Sequence, residues 1–283
     1  MAYQYYPGHM TKALRNMEND IKLIDLVIEV LDSRAPLSSR NPNIDNLAKG
    51  KYRLIVLNKS DLSDPAVNAL WKEYFEKNGF GVLEVNSKDS RSLKNFDRTI
   101  CEVCREKLER DKRRGIRQRP IKAMICGIPN VGKSTFINTV SGKSGAKTGN
   151  KPGVTRGNQW ISLGSSAELL DTPGILWPKF EDESVGMKLA LLGSINDDIL
   201  DLEELSYSAL DFMKKEYPDL LKKRFSDDLD TDMSDDELLR EMAVIRNIKA
   251  KGNEPDIRRM SLIFMDELRS GKIGRFSLER PLV

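Results

Sequence analysis

Gly127-Ile128-Pro129-Asn130-Val131-Gly132-Lys133-Ser134 lies between an apolar run, Ile121–Cys126, and a stretch of helical periodicity that opens at Lys133. A glycine-bounded turn joining a buried strand to a helix, and ending in Lys-Ser, is the pattern of a phosphate-binding loop. Its backbone N–H groups and the helix N-terminus cradle a β-phosphate. Lys133 is then placed to reach the β/γ oxygens and the Ser134 hydroxyl to ligate Mg²⁺. Asn130, Val131, Gly132 and Thr135 complete the expected phosphate contacts. The motif establishes a nucleotide site but not which nucleotide.

The base is chosen upstream. Asn58-Lys59-Ser60-Asp61 follows directly on a second buried run, Tyr52–Leu57, about seventy residues before the phosphate loop. The Asp61 carboxylate can accept both the ring N1–H and the exocyclic amine of guanine. Adenine offers neither donor there, and such charge-assisted bonds are worth roughly 1.5–3 kcal/mol. Asn86-Ser87-Lys88 is the companion loop, with backbone available to the guanine O6. Downstream, Asp171-Thr-Pro-Gly174 follows a short apolar strand, Ala167–Leu170. A carboxylate at that strand end can hold Mg²⁺ through water, and the Gly174 N–H can contact a γ-phosphate. Between these lies Gly149–Arg156, a Gly/Pro segment whose Thr155 hydroxyl is the expected switch ligand to the metal, with Thr148 as the alternative.

Further apolar strands are expected at Leu26–Leu31 and Val82–Val85, alternating with helical patterns, which indicates parallel βαβ units. After Pro178 only helical periodicity recurs (Val185–Leu192, Leu205–Phe212, Asp235–Ile248 and Ile257–Ser270). The chain thus divides into residues 1–178, an α/β nucleotide domain with a mostly parallel sheet and helices on both faces, and 179–283, a small all-α domain. Ser226–Ser234 reads as a flexible acidic loop, and the last dozen residues as a partly ordered basic tail.

Composition narrows the class. The 283 residues carry 46 Lys and Arg against 43 Asp and Glu, with 39% hydrophobic and 31% charged residues. That balance is globular, and no run approaches the ~20 apolar residues needed to span a bilayer. Nothing at the start resembles a secretory signal, so a cytoplasmic monomer with no membrane contact is expected. Three cysteines, Cys101, Cys104 and Cys126, are too few for a disulfide framework, and the lone CxxC lies in a helical pattern, so reduced thiols are expected. Charge is uneven: residues 105–122 hold nine Lys or Arg and three acids, and the chain turns basic again after Arg240. A basic stripe is the electrostatic footprint of an RNA partner, although it also describes a solvated helix face.

The motif order is NKxD, SxK, phosphate loop, threonine, DxPG. It reverses the usual order and resembles the YlqF/RbgA family of circularly permuted GTPases within the TRAFAC class. The likeness extends to Tyr6-Pro-Gly-His-Met10, Asp32-Ser-Arg34-Ala-Pro36, Ser39-Arg40-Asn-Pro42 and the helical tail. It implies a circularly permuted P-loop GTPase fold and a GTP hydrolase of low intrinsic rate. It also implies a late assembly factor of the large ribosomal subunit, binding GTP or GDP and contacting rRNA through the C-terminal domain. The alternative is a GTP-regulated protein-binding switch without an RNA role.

Ras-like enzymes place a glutamine after DxxG to orient water, whereas this chain has Ile175. Its single histidine, His9, is the candidate for water activation, with an unperturbed pKa near 6.5. Asn130 matches the asparagine that, in related GTPases, helps hold a K⁺ beside the phosphates. Basic candidates for RNA are Lys222, Lys223, Arg224, Arg246, Lys249, Lys251, Arg258 and Arg259. Lys12, Arg15, Arg34 and Arg40 are expected to be exposed near His9.

Overall fold

The computed structural model describes residues 8–116, 119–142, 159–163, 166–177, 180 and 182–282, with side chains from Leu14 onward. It comprises two compact units, one of residues 1–186 together with 277–283 and the other of residues 187–276.

The first unit is built on a six-stranded sheet. Its strands are β1 (Leu26–Asp32), β2 (Tyr52–Asn58), β3 (Gly81–Glu84), β4 (Ile121–Cys126), β5 (Gln159–Leu163) and β6 (Ala167–Asp171). Their spatial order is β3-β2-β1-β4-β6-β5, all parallel except β5, which pairs antiparallel with β6 at the edge. β1 is buried along its whole length, as a parallel strand covered on both faces must be. The register sets Asp32 beside Asn58, so the polar ends of β1 and β2 emerge together at the C-terminal edge of the sheet.

Helices α1 (Gly8–Asp20), α2 (Asn43–Leu47), α3 (Pro65–Lys77), α4 (Phe96–Val103), α5 (Arg105–Arg113) and α6 (Lys133–Ser141) belong to this unit. Successive residues of β2 face opposite ways. Ile55 and Leu57 join Leu31 in a cluster with Val67, Trp71 and Phe75 of α3. Leu54 lies on the other face with Val103 of α4. A Cβ on Gly81 would come within 2.3 Å of Val103 Cγ2 and 3.4 Å of Leu54 Cδ1. Helices therefore cover both faces, as a doubly wound sheet requires. Asp64 caps α3, accepting from the Ala66 N–H at 2.9 Å, and Pro65 opens the helix where its missing donor costs nothing.

The helix expected through the two cysteines breaks at Cys104 into α4 and α5. Cys104 and Cys126 are buried free thiols and Cys101 an exposed one. Burial pushes the Cys104 thiol up to about 12 and raises that of Cys126 as well, which leaves both protonated and inert.

Helix α7 (Glu183–Leu191) spans the junction of the units. The second unit continues with α8 (Leu202–Glu216), α9 (Pro218–Phe225), α10 (Asp235–Ile245) and α11 (Ile257–Ser270). Leu210, Met213, Leu239, Met242, Phe264 and Leu268 are among its buried side chains. The acidic segment before α10 is anchored rather than loose. Leu229 is buried, and Lys214 Nζ donates to Met233 O and to Asp235 Oδ1, each at 2.7 Å. Ser234 and Glu237 then close a reciprocal capping box on α10.

Candidate functional site

The C-terminal edge of the sheet brings four loops together. The first carries Asn58-Lys59-Ser60-Asp61 and leaves β2. Asn58 is buried and both ends of its carboxamide are used. Nδ2 donates to Val131 O of the phosphate loop at 2.7 Å, and Oδ1 accepts from Ser87 N at 3.0 Å and Ser87 Oγ at 2.6 Å. One side chain therefore holds three loops in register. The Thr139 hydroxyl of α6 adds a further tie, donating to Ser87 O at 2.7 Å.

Lys59 has a left-handed backbone, φ 59°. Its ammonium donates to Asn130 O at 2.7 Å and to Asp32 Oδ2 at 2.9 Å. Asp61 is exposed, with no hydrogen-bond partner for its carboxylate among the described residues. Asn86 Oδ1 accepts from the Lys88 N–H at 2.9 Å, which turns the Asn86–Lys88 loop, and Lys88 itself is exposed.

The phosphate loop leaves β4 and enters α6. Gly132 adopts φ 91°, and a Cβ there would lie 2.3 Å from Asn58 Nδ2. Only glycine serves both the backbone and the space. Lys133, buried at the start of α6, forms an ion pair with Asp171 at the end of β6. Ser134 follows in the first turn of α6 and Thr135 after it.

Beyond Asp171 the chain packs on the phosphate loop. The Thr172 hydroxyl donates to Ile125 O at 2.7 Å. A Cβ on Gly174 would lie 3.0 Å from Pro129 N, so the backbones approach closely there. Ile175 is buried, its N–H donating to Gly127 O at 3.3 Å and its carbonyl accepting from Asn41 Nδ2 at 3.0 Å. His9 lies in α1, its side chain outside the described set, and Thr148 and Thr155 lie outside the described residues.

Two cations expected at the surface are not there. Arg34 is buried, 1% exposed, and grips Asp32 in a bidentate pair, Nε to Oδ1 at 3.0 Å and Nη2 to Oδ2 at 2.9 Å. Arg40 is pulled in by Glu29 and Asp45 and lies 4.8 Å over the Phe80 ring. Burial disfavours the Asp32 carboxylate. Arg34 and Lys59 more than offset this and hold it well below the usual carboxylate range. Burial likewise lowers the Lys59 ammonium, against the pull of Asp32.

In the sequence Asp32 stands out only within the family pattern, and Arg34 there and as an exposed cation expected near His9; neither is expected to support the nucleotide loops. The available signal was an acid ending an apolar strand next to the strand that carries Asn58. In the second unit, Arg224 and Arg246 are tied to Glu267, while Lys223, Lys249, Lys251, Arg258 and Arg259 remain exposed.

Comparison with known proteins adds context. A family described as 50S ribosome-binding GTPase matches residues 122–224. The chain is 43% identical to ribosome biogenesis GTPase A of Bacillus pumilus over 283 residues, 99% of each protein. Among solved structures it resembles GDP-bound TM YlqF, with a TM-score of 0.67 and 28% identity, covering 94% of this chain and 99% of that one. It also resembles GNP-bound YlqF from Thermotoga maritima, with a TM-score of 0.61 and 27% identity, covering 95% and 98% respectively.

Proposed function

The chain belongs to the ribosome biogenesis GTPase A family, and we propose that it is a circularly permuted GTP hydrolase acting late in assembly of the large ribosomal subunit. The observation that carries the nucleotide reading is the Asn58 carboxamide. It joins the NKxD segment, the Ser87 loop and the phosphate loop around one point. A guanine base between Asp61 and the Asn86–Lys88 loop then lies one loop away from phosphates on Gly132–Thr135.

The donor set also suits Mg²⁺. Asp171 and the Ser134 hydroxyl are hard oxygen ligands of the kind it prefers, and Asp171 already attracts a cation, the Lys133 ammonium. When bound, the ion would neutralise charge on the β- and γ-phosphates. Ser134 and Thr155 would ligate it directly and Asp171 through water. Lys133 would turn from Asp171 to the β/γ oxygens, and the Gly174 N–H would contact the γ-phosphate. With Ile175 buried where Ras-like enzymes carry glutamine, His9 is left to orient the attacking water, and a K⁺ beside Asn130 would supply the charge of an arginine finger.

Permutation gives the switch its output. The segment expected to feel the γ-phosphate, Asp171–Ile175, is followed in chain order by the helical unit and, among the described residues, by no further strand of the sheet. Nucleotide state can thus govern a module whose Lys223, Lys249, Lys251, Arg258 and Arg259 suit an rRNA backbone. The alternative, a protein-binding switch, lacks an equivalent supporting feature.

GTP turnover with and without purified large subunits tests the proposal, alongside co-sedimentation across a salt series. Stimulated turnover with salt-sensitive, GTP-dependent association is expected. Turnover indifferent to the particle would remove the ribosomal role.

A further inference from the structure

After the helical unit the chain returns to the first unit, and Ser277, Leu278 and Glu279 bind there through backbone and side chain together. Leu278 N donates to Arg34 O at 2.7 Å. Asp64 N donates to Ser277 Oγ at 3.3 Å, and Trp71 Nε1 to Glu279 O at 3.2 Å. The Glu279 carboxylate is the densest contact. Oε1 accepts from Leu37 N at 2.6 Å and Ser38 N at 3.0 Å, and Oε2 from Ser38 Oγ at 2.5 Å. Two successive backbone N–H groups aimed at one anion form a nest, and here the anion comes from the chain itself, 242 residues away.

The loop so held, Ser33–Asn41, touches the nucleotide site at both ends. At its start Arg34 clamps Asp32, which holds the Lys59 ammonium against the phosphate loop. In its middle the Ser39 hydroxyl accepts from Asp32 N at 3.1 Å. At its end Asn41 holds the carbonyl of Ile175, directly after Gly174. We propose that the C-terminal segment Ser277–Glu279 is an intramolecular positioning element for the GTP site, with Glu279 its positioning residue. By seating in the Leu37–Ser38 nest, it preorganises both the guanine-side lysine and the DxPG exit. The coupling is reciprocal: a nucleotide that fixes Lys59 and Gly174 also fixes the segment. This rests on the nucleotide reading above.

The test uses the full-length chain, a fluorescent GDP analogue, and amide hydrogen exchange with and without GDP. Glu279→Ala is expected to weaken GDP binding about tenfold, since it removes three charge-assisted acceptor contacts. Glu279→Gln keeps an oxygen for the two N–H groups and an amide for Ser38 Oγ, and is expected to stay near the wild type. In the wild type, GDP should slow exchange of the Leu37, Ser38 and Leu278 amides. Should Glu279→Ala fail to fold, that exchange measurement decides alone. Wild-type affinity in a folded Glu279→Ala protein of lowered Tm would reduce the segment to a structural tether and overturn the proposal, as would exchange at those amides indifferent to GDP. A wild type that binds no GDP would instead remove the nucleotide reading itself.

Discussion

Asn58 donates its side-chain amide to Val131 O at 2.7 Å across 73 residues of sequence, so the base-reading loop and the phosphate loop share a hydrogen bond. Replacing Asn58 with alanine leaves Val131 O and Ser87 N without their buried partner, at roughly 1–3 kcal/mol for each orphaned group. Asn58→Ala is expected to lower stability in urea by a few kcal/mol and to weaken guanine nucleotide by an order of magnitude or more. Calorimetric titration beside the unfolding curve checks both. A normal affinity in a destabilised protein would separate the fold from the site.

The pair Lys133–Asp171 predicts non-additivity. Both groups are buried, and removing one partner of a buried pair typically costs about 3–5 kcal/mol because the other charge is stranded. Lys133→Ala and Asp171→Asn should each destabilise the nucleotide-free protein. The double change should cost clearly less than the sum, as a double-mutant cycle in urea would register. GTP hydrolysis should be lost in both single variants.

Asp32 gives a pH signature. Its folded pKa is depressed, since the pull of Arg34 and Lys59 outweighs burial. Its stabilising contribution is therefore complete above the unfolded value, about 3.9, and is lost as pH falls through that value toward the folded one. The stability gap between the wild type and Asp32→Asn should hold steady from neutrality down to about pH 5 and close progressively below about pH 4. Denaturation at a series of pH values reads it directly. A gap that widens in acid would contradict the assigned pairing.

What the sequence disclosed and withheld follows from range. Five strands and the nucleotide motifs were legible because each is a local pattern: an apolar run, a glycine turn, a residue type at fixed spacing. Strand β5 was not, because Gln159–Leu163 is a short, largely exposed edge strand with Trp160 over Lys122 and no continuous apolar run. Arg34 and Arg40 were read as surface charges because a guanidinium is buried only where the fold covers its carboxylate partner. Asp32 and Glu29 are near in sequence, but it is their place on the covered strand β1 that takes both arginines in. The return of Ser277–Glu279 left still less trace. Its contacts are mostly to backbone groups more than 200 residues away, which no periodicity encodes.

Monovalent cations should matter. Asn130 takes a left-handed backbone, φ 62°, and its carbonyl is held by Lys59, which fixes the loop backbone at this residue. A K⁺ there would stand in for an arginine finger, a contribution worth ~10³–10⁵ in related enzymes. Turnover should be clearly faster in KCl than in NaCl at equal ionic strength, and Asn130→Ala should abolish the difference. Equal rates in the two salts would leave Asn130 a structural part of the loop.

The last prediction concerns the attacking water. Ile175 is buried and its backbone is fixed on both sides, by Gly127 O and Asn41 Nδ2, so this position has neither a polar side chain nor the freedom to bring one in. General acid–base assistance contributes typically 10²–10⁴ in rate, and His9 is the only imidazole in the chain. His9→Ala should slow GTP hydrolysis by roughly that factor in the presence of large subunits, with nucleotide affinity nearly unchanged, because no base or phosphate contact is assigned to it. Single-turnover hydrolysis beside equilibrium binding separates the two quantities. Equal hydrolysis by mutant and wild type on the particle would move the catalytic group to the ribosome or to the cation. A parallel loss of affinity would make His9 part of the binding surface instead.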